Sequence, residues 1–463
     1  MTVDQLVEAV HGSCLCNYAP DNGFSSVATD SRKVVSGSLF VPLIGEFQDG
    51  HAYITRALEA GATVIFVDMA HGEGSASLFS SLGKQYHACF IMVADTMRAL
   101  QDAARAYVAL FPGLLKIGIT GSSGKTTTKE ILGSILSERY KVVMNEGNLN
   151  SETGLPLSVF RIRREHQVGV FELGMNRREE ISEIARVLSP SVALITNVGT
   201  AHIGILGTQQ AIAEEKKQIF AFFDQNGTGF VPEDDSYKDF LSAVPAGRIL
   251  AFGPGSTPGY EGSESLGVDG SLLRYSGEKI RFPLPGPYNL KNALGAISVA
   301  NHLGLSPVEI KNGIESVKPL FGRAEVKRGD ITVILDCYNA NPDSMESALE
   351  FCSSLEWKGR KFYVLGSMLE LGEESDSAHR RICNLAARSG ADMILLFGDE
   401  ICKYGKYIDW KGVDARYFTD IEDLSRVLAE SVTSGDLVFM KGSRGMALER
   451  VYPALEQRMK AGS

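Results

Sequence analysis

Runs of consecutive apolar residues alternate along this chain with segments whose apolar positions recur every three or four residues. The runs at 38–43, 63–67, 114–119, 169–171 and 192–195 predict strands. Residues 57–62 close a helix ahead of the second run, and Ile131, Leu132, Ile135 and Leu136 share one face of a helix after the third. A helical pattern over 179–188 separates the last two. Strands alternating with helices in this way predict a mainly parallel sheet covered by helices. The rhythm restarts beyond residue 320, with strands at 333–335, 362–365, 393–397 and 437–440 and helices over 344–355, 378–388 and 421–432.

Turn-forming residues punctuate the pattern at Phe111-Pro112-Gly113 and at Lys318-Pro319-Leu320-Phe321-Gly322. They divide the chain into three expected α/β domains, 1–112, 113–320 and 321–463. At ~100–200 residues per domain, 463 residues agree with three. The glycine- and proline-rich run 253–259 is expected to be a surface loop. No solenoid-period repeat and no low-complexity tract interrupts the pattern.

Composition narrows the function classes. Hydrophobic residues are 44% and charged residues 22%, the balance of a soluble globular chain, which excludes a disordered or collagen-like one. Forty-six lysines and arginines against 56 acids leave a formal charge of −10. Without a long basic run, such a chain is a poor binder of nucleic-acid backbone or anionic membrane. No stretch approaches the ~18 apolar residues of a spanning helix. Asp4 and Glu8 stand where a signal peptide carries lysine or arginine. The seven cysteines are scattered, and Cys14 and Cys16 lack C-x-x-C spacing, so they read as reduced packing thiols. The expectation is a cytoplasmic multidomain protein with no membrane segment and no nucleic-acid partner.

The strongest chemical signal is Gly121-Ser122-Ser123-Gly124-Lys125-Thr126-Thr127, between an apolar strand and an amphipathic helix. A helix start there offers unpaired N–H groups and the positive dipole end to phosphate. The glycines let backbone approach the phosphate oxygens, Lys125 brings a mobile charge, and the Thr126 hydroxyl suits magnesium. The loop is shorter than the usual G-x-x-x-x-G-K-[ST], because only Ser122 and Ser123 separate its glycines. No Asn-Lys-x-Asp occurs in the chain, which removes the guanine-reading element of a GTPase. Glu172 ends one strand, and His202 follows the end of another. Ligands of open parallel sheets sit at the carboxyl ends of strands, so Lys125, Glu172 and His202 are expected to converge.

The shortened phosphate loop, the Gly147-Asn148-Leu149-Asn150 run, Glu172 and His202 stand in the order found in the Mur ligases. In this the chain resembles those ATP-dependent enzymes, which build the peptide of bacterial cell-wall precursors. Thr29-Asp30-Ser31-Arg32-Lys33, Asp49-Gly50-His51, the run from Asp336 to Met345, Met368-Leu369-Glu370-Leu371-Gly372 and Lys441-Gly442-Ser443-Arg444-Gly445 extend the resemblance over essentially the whole chain. They favour the branch that adds a dipeptide.

The resemblance implies a UDP-substrate domain, a central ATP-binding domain and a C-terminal Rossmann-like domain that binds the incoming dipeptide. It implies ATP, UDP-N-acetylmuramoyl-tripeptide and D-alanyl-D-alanine as substrates, an acyl-phosphate intermediate and, as an expectation, a monomer. Residues 121–127 would hold phosphate, with Lys125, Glu172, His202 and Lys216 catalytic. Two magnesium ions are implied, with Thr126, Glu172, His202 and Lys216 as the metal-binding set. Lys216 matches a lysine often carbamoylated in the family, which turns a cation into a metal-binding anion. Adjacent Lys217 leaves a register ambiguity, and three-residue spacing to Ile219 favours Lys216. Asn289, Asn292, Arg323 and Asp336 are implied for adenine, ribose and phosphate. Ser31 and Arg32 are implied for the uridine diphosphate end, Asn148 and Asn150 for substrate, and Asn339, Asn341, Ser443 and Arg444 for the dipeptide.

Two positions depart from the family pattern: Tyr288 replaces a histidine and Ser367 an aspartate. A tyrosine still stacks on a base. The sequence leaves open another ligase of the superfamily, such as the one adding the third residue or a folylpolyglutamate synthase. A nucleotide-dependent binding module is a further alternative.

Overall fold

A computed structural model describes residues 1–20 and 23–461, and the remaining residues of the first and third expected domains lie outside it. The described residues form three large sheets in chain order and one small one. The first runs Ser13–Asn17, Cys89–Val93, Ala62–Asp68, Ser38–Phe40, Ser26–Ala28, antiparallel at its first pair and parallel beyond it. The expected strand over 38–43 stops at Phe40. Pro42 has no N–H for a ladder, and its carbonyl instead accepts the Thr96 hydroxyl at 2.7 Å.

The central sheet is wholly parallel: Arg248–Phe252, Thr228–Pro232, Val192–Ile195, Leu115–Thr120, Val168–Glu172, Val142–Met144. Leu115–Thr120 lies inside it with later strands on both sides. That is a topological switch point, so the loop after Thr120 opens into a crevice. On one face Ile117, Ile119, Val170 and Leu194 pack against Ile131, Leu132 and Ile135 of helix Lys125–Leu136 and against Ala293 and Ile297 of helix Pro287–His302. On the other, Phe171 and Ile195 meet Ile181, Ile184 and Leu188 of helix Glu180–Leu188. Helix Thr96–Ala109 joins this second core through Ala99, Leu100 and Ala103. The first sheet is thereby docked on the second through a shared helix. The run 253–259 leads into an antiparallel sheet of Tyr260–Ser265, Ser271–Tyr275 and Glu278–Phe282, which breaks the βα rhythm.

The third sheet runs Glu325–Lys327, Thr332–Asp336, Leu437–Lys441, Lys361–Gly366, Met393–Phe397, Asp414–Phe418, with only its first pair antiparallel. Its strands read as continuous apolar runs because both faces are covered. Ile334, Tyr363 and Phe439 face one core; Val333, Phe362 and Val438 face the other. Helix Pro342–Ser354 starts two residues before the expected 344, because Asn341 caps it, Ser344 completes a capping box and Pro342 takes the first turn. Among the described residues no helix is long and apolar enough to cross a membrane.

Candidate active site

The phosphate loop follows Leu115–Thr120 at the switch point. Gly121 and Gly124 have φ of 149° and 77°. A Cβ on Gly121 would stand 1.8 Å from Thr196 Oγ1, and one on Gly124 would stand 2.3 Å from Asn292 Oδ1. Only glycine meets both the backbone angle and the space. Asn197 fastens the loop: its Oδ1 accepts the Ser123 N–H at 3.1 Å and its Nδ2 donates to Ser123 Oγ at 3.0 Å. Ser122 Oγ accepts the Gly199 N–H at 2.9 Å. Lys125 Nζ donates to Gly121 O at 2.8 Å, folded back over the loop it serves. Burial holds its pKa below the ordinary lysine value; Glu172 opposes the shift and Arg323, from the third domain, adds to it.

Glu172 is buried at the end of Val168–Glu172. Its Oε2 accepts the Thr126 hydroxyl and its Oε1 the Asn150 amide, both at 2.7 Å. Asn145 ties the same strand end to the loop of Asn148 and Asn150: it accepts the Glu172 N–H at 2.9 Å and donates to Glu172 O at 3.1 Å and Leu149 O at 2.9 Å. Buried Lys129 in turn donates to Asn145 O at 2.6 Å. Asn148 lines the cleft beside them.

His202 adopts a left-handed φ of 65°, and its Nδ1 is buried without a hydrogen-bond partner among the described residues. Burial, then Lys125 and Lys216, push its pKa down to about 4. A shift in that direction favours the neutral imidazole, and Glu370 Oε2 stands 3.4 Å from its Nδ1. Lys216 is 1% exposed, behind the residues that line the cleft rather than on a solvated helix face. Burial and Lys125 carry its pKa well below the lysine range, opposed by Glu215. Glu215 is committed elsewhere, accepting the Glu179 and Ile181 N–H groups at 2.8 Å each. Lys217 turns away, donating to Phe240 O at 2.7 Å with its ammonium over the Phe240 ring.

Lys125, Glu172 and His202 border one cleft of about 1120 Å³ between the second and third domains. Ser122, Ser123, Thr126 and Thr127 line its floor; Asn289 and Asn292 line it from helix Pro287–His302. Asn289 donates to Pro285 O at 2.8 Å. Tyr288 also lines it, edge-on to Phe351, with a buried hydroxyl that has no partner among the described residues. From the third domain come Arg323, stacked 4.0 Å over the Tyr338 ring, and Asp336. Asp336 pairs with buried Lys441 at 2.6 Å and accepts the Ala324 N–H at 3.1 Å. Thr200 bridges the domains by donating its N–H and hydroxyl to Asp343 Oδ2 at 2.6 and 2.7 Å.

The dipeptide candidates divide. Asn339 and Arg444 are exposed and line the cleft, with Arg444 paired to Glu449 at 2.5 Å. Asn341 lines it while capping helix Pro342–Ser354. Ser443 is buried behind the wall, donating to Ala340 O at 3.2 Å and accepting the Leu369 N–H at 2.9 Å. Ser31 and Arg32 stand apart, in the first domain. Ser31 is buried, and exposed Arg32 pairs with Asp30 at 2.7 Å. Ser367 is buried away from the cleft, where its hydroxyl accepts the Ile401 N–H at 3.1 Å.

A second cluster of metal-capable side chains, Asp49, His51 and His71, lies in the first domain. His51 Nε2 accepts the Asp68 N–H at 3.0 Å, which puts the ring proton on Nδ1, hydrogen-bonded to Asp49 at 2.7 Å. With the proton fixed there, Nδ1 has no lone pair for a metal, and the trio is a hydrogen-bonded strut.

Three family profiles match in succession: the Mur ligase family catalytic domain over 24–108, the Mur ligase middle domain over 119–300 and the Mur ligase glutamate ligase domain over 322–444. The chain belongs to the Mur ligase family. Among curated Mur ligases, the UDP-N-acetylmuramoyl-tripeptide–D-alanyl-D-alanine ligase of Treponema pallidum is 47% identical over 99% of both chains. That of Escherichia coli is 30% identical over 99% of this chain and 98% of its own. A crystal structure of MurF from Acinetobacter baumannii matches with a TM-score of 0.87 at 29% identity, covering 98% of each chain. MurF from Thermotoga maritima in complex with ADP matches at 0.79 and 27% identity, over 95% of this chain and 98% of that one.

Several residues that shape this Mur ligase cleft escaped the sequence reading. Lys441 stood inside a quoted run without a role; its signal was a lysine ending an apolar strand, where burial demands a partner. Asn145 lies two residues before the Gly147-Asn148-Leu149-Asn150 run and had no role there. Lys129 and Asn197 carried no motif, and only the fold brings them to the loop they fasten.

Proposed function

We propose that this chain joins D-alanyl-D-alanine to UDP-N-acetylmuramoyl-tripeptide, converting ATP to ADP and phosphate, in peptidoglycan precursor synthesis. The observation that carries this is the 47% identity, over nearly the full length of both chains, to a relative of that activity. A cleft that gathers Lys125, Glu172 and His202 supports it. The tripeptide carboxylate attacks the γ-phosphorus and the bond to ADP breaks. The dipeptide nitrogen then attacks the acyl phosphate carbonyl; C–N forms, C–O to phosphate breaks, and the surplus protons leave the nitrogen.

Both reacting partners of the first step are anionic, so the chain must supply positive charge. The N-terminus of helix Lys125–Leu136 and the ammonium of Lys125 do so from the second domain, and Arg323 from the third. Asn289, Asn292 and Asp336 hold the adenosine end, with Tyr288 offering a ring face in place of histidine. Thr126 Oγ1 and Glu172 Oε2 are oxygen donors already 2.7 Å apart, with Asn150 fixing the other carboxylate oxygen, a set that suits magnesium. His202 Nδ1, buried and without a hydrogen-bond partner among the described residues, suits a second ion. Bound magnesium would supply charge neutralisation on the phosphates.

Lys216 completes the metal-binding set as a carbamate. Its depressed pKa favours the neutral amine, which adds carbon dioxide to give R–NH–COO⁻ and a proton. Asn339, Asn341, Ser443 and Arg444 form the dipeptide end, Arg444 facing its carboxylate. Asn148 and Asn150 lie along the tripeptide, and Ser31 and Arg32 at the uridine diphosphate. The protein acts as a cytoplasmic monomer. Mass spectrometry after incubation with UDP-N-acetylmuramoyl-tripeptide, ATP, magnesium and D-alanyl-D-alanine tests the reading. The expected product is the UDP-linked pentapeptide, and its absence while another amine acceptor is consumed would refute the assignment.

A further inference from the structure

The incoming dipeptide of the proposed reaction is a zwitterion, so its site needs an anion for the ammonium as well as a cation for the carboxylate. Most carboxylates of the cleft are committed. Glu172 is held by Thr126 and Asn150, Asp336 by Lys441, Asp343 by Thr200 and Asp234 by Lys291. Glu370 differs. The Glu370 side chain is 62% exposed and lines the cleft, with its Oε2 3.4 Å from His202 Nδ1. It thus stands at the reacting end, against the second domain.

The backbone there is built to hold it. Glu370 has a φ of 64°, a left-handed conformation that costs a glutamate energy and persists only where neighbours impose it. On its amino side the Met368 N–H donates to His379 Nε2 and the Leu369 N–H to Ser443 Oγ, both at 2.9 Å. On the other side of the domain cleft, Gly204 packs so closely that a Cβ would stand 2.6 Å from Glu370 O. The Leu369–Ser443 bond also joins the two loops that carry the charges. Glu370 follows one partner and Arg444 the other, so an anion and a cation flank a single hydrogen bond. An extended dipeptide spans about 7 Å and carries its opposite charges at its two ends, so groups on adjoining loops can engage both.

We infer that Glu370 binds the ammonium of the incoming dipeptide, opposite Arg444 at its carboxylate. The inference rests on the dipeptide-ligase reading, which stands or falls separately on whether the wild-type enzyme turns D-alanyl-D-alanine over at all. The probe is N-propionyl-D-alanine, which keeps the skeleton and carboxylate and lacks the ammonium. In the presence of ATP and the UDP-tripeptide, Glu370→Gln should raise KM for D-alanyl-D-alanine by ~10–100-fold, the range of a lost charge-assisted hydrogen bond. Inhibition by the propionyl analogue and the KM values for ATP and the UDP-tripeptide should stay within about twofold. Glu370→Asp should keep part of the preference for the charged ligand. Equal weakening of both ligands in Glu370→Gln, or a loss seen instead in the magnesium dependence, would overturn the inference.

Discussion

Lys216 and Lys217 are consecutive residues with opposite surroundings. Lys216 is 1% exposed and depressed in pKa by burial and by Lys125, whereas Lys217 donates to Phe240 O and rests on the Phe240 ring. Adjacent helical positions face ~100° apart, so a one-residue shift in register exchanges a desolvated amine for a tethered one.

Lys216→Ala should therefore lose most activity, and short carboxylic acids such as acetate should restore part of it by standing in for the carbamate. Lys217→Ala should cost far less, since its ammonium is fixed to a carbonyl remote from the cleft. Steady-state rates of both variants, with and without acetate, check this. An inactive Lys217→Ala beside an active Lys216→Ala would reverse the register.

Lys125→Ala should lower kcat at least about 10²-fold while the thermal midpoint stays near wild type. The ammonium's partner inside the protein is a loop carbonyl, so its removal unburdens a half-buried position, whereas phosphate loses a positioned charge. Turnover near wild type in a folded variant would contradict the phosphate-loop role.

Lys441→Met should destabilise the third domain by about 3 kcal/mol or more, because Asp336 would be left as an uncompensated charge in a largely enclosed position. Pairing it with Asp336→Leu should recover most of the loss, short of the bond from Ala324 N–H. Urea midpoints of the single and double variants measure the difference. The double variant should still bind nucleotide poorly, since Asp336 is proposed to contact it.

His379 predicts a pH dependence of stability. Its Nε2 accepts the Met368 N–H, so its proton sits on Nδ1, bonded to Ser375 O at 2.7 Å. Burial lowers its pKa below the ordinary value of 6.5, with Ser375 O and Glu400 opposing. The unfolded chain then binds the proton first as pH falls. Stability is complete above the ordinary histidine value and declines below it, by up to about 1.4 kcal/mol per pH unit, until the folded pKa is passed. His379→Gln should be less stable at pH 8 and show a flatter profile between pH 7 and 5. A parallel profile in both proteins would exclude the mechanism.

The α/β rhythm was legible because strands covered on both faces leave unbroken apolar runs, as at 333–335 and 192–195. The strands at 260–282 were not, since Tyr260–Ser265 is mostly exposed and carries Glu and Ser at most positions. The phosphate loop was legible because glycine, lysine and threonine are each required at a fixed spacing next to a strand. Lys129 and Asn145 were not, because their task is to hold one another and Glu172 across 43 residues of chain, a relationship that appears only in three dimensions.

The acyl phosphate is the center of this account, and oxygen-18 transfer tests it most directly. With UDP-N-acetylmuramoyl-tripeptide labelled in its terminal carboxylate, the released phosphate should carry one labelled oxygen, because the C–O bond to that oxygen breaks when the dipeptide nitrogen adds. Phosphate free of label during amide formation would contradict activation of the carboxylate by phosphoryl transfer.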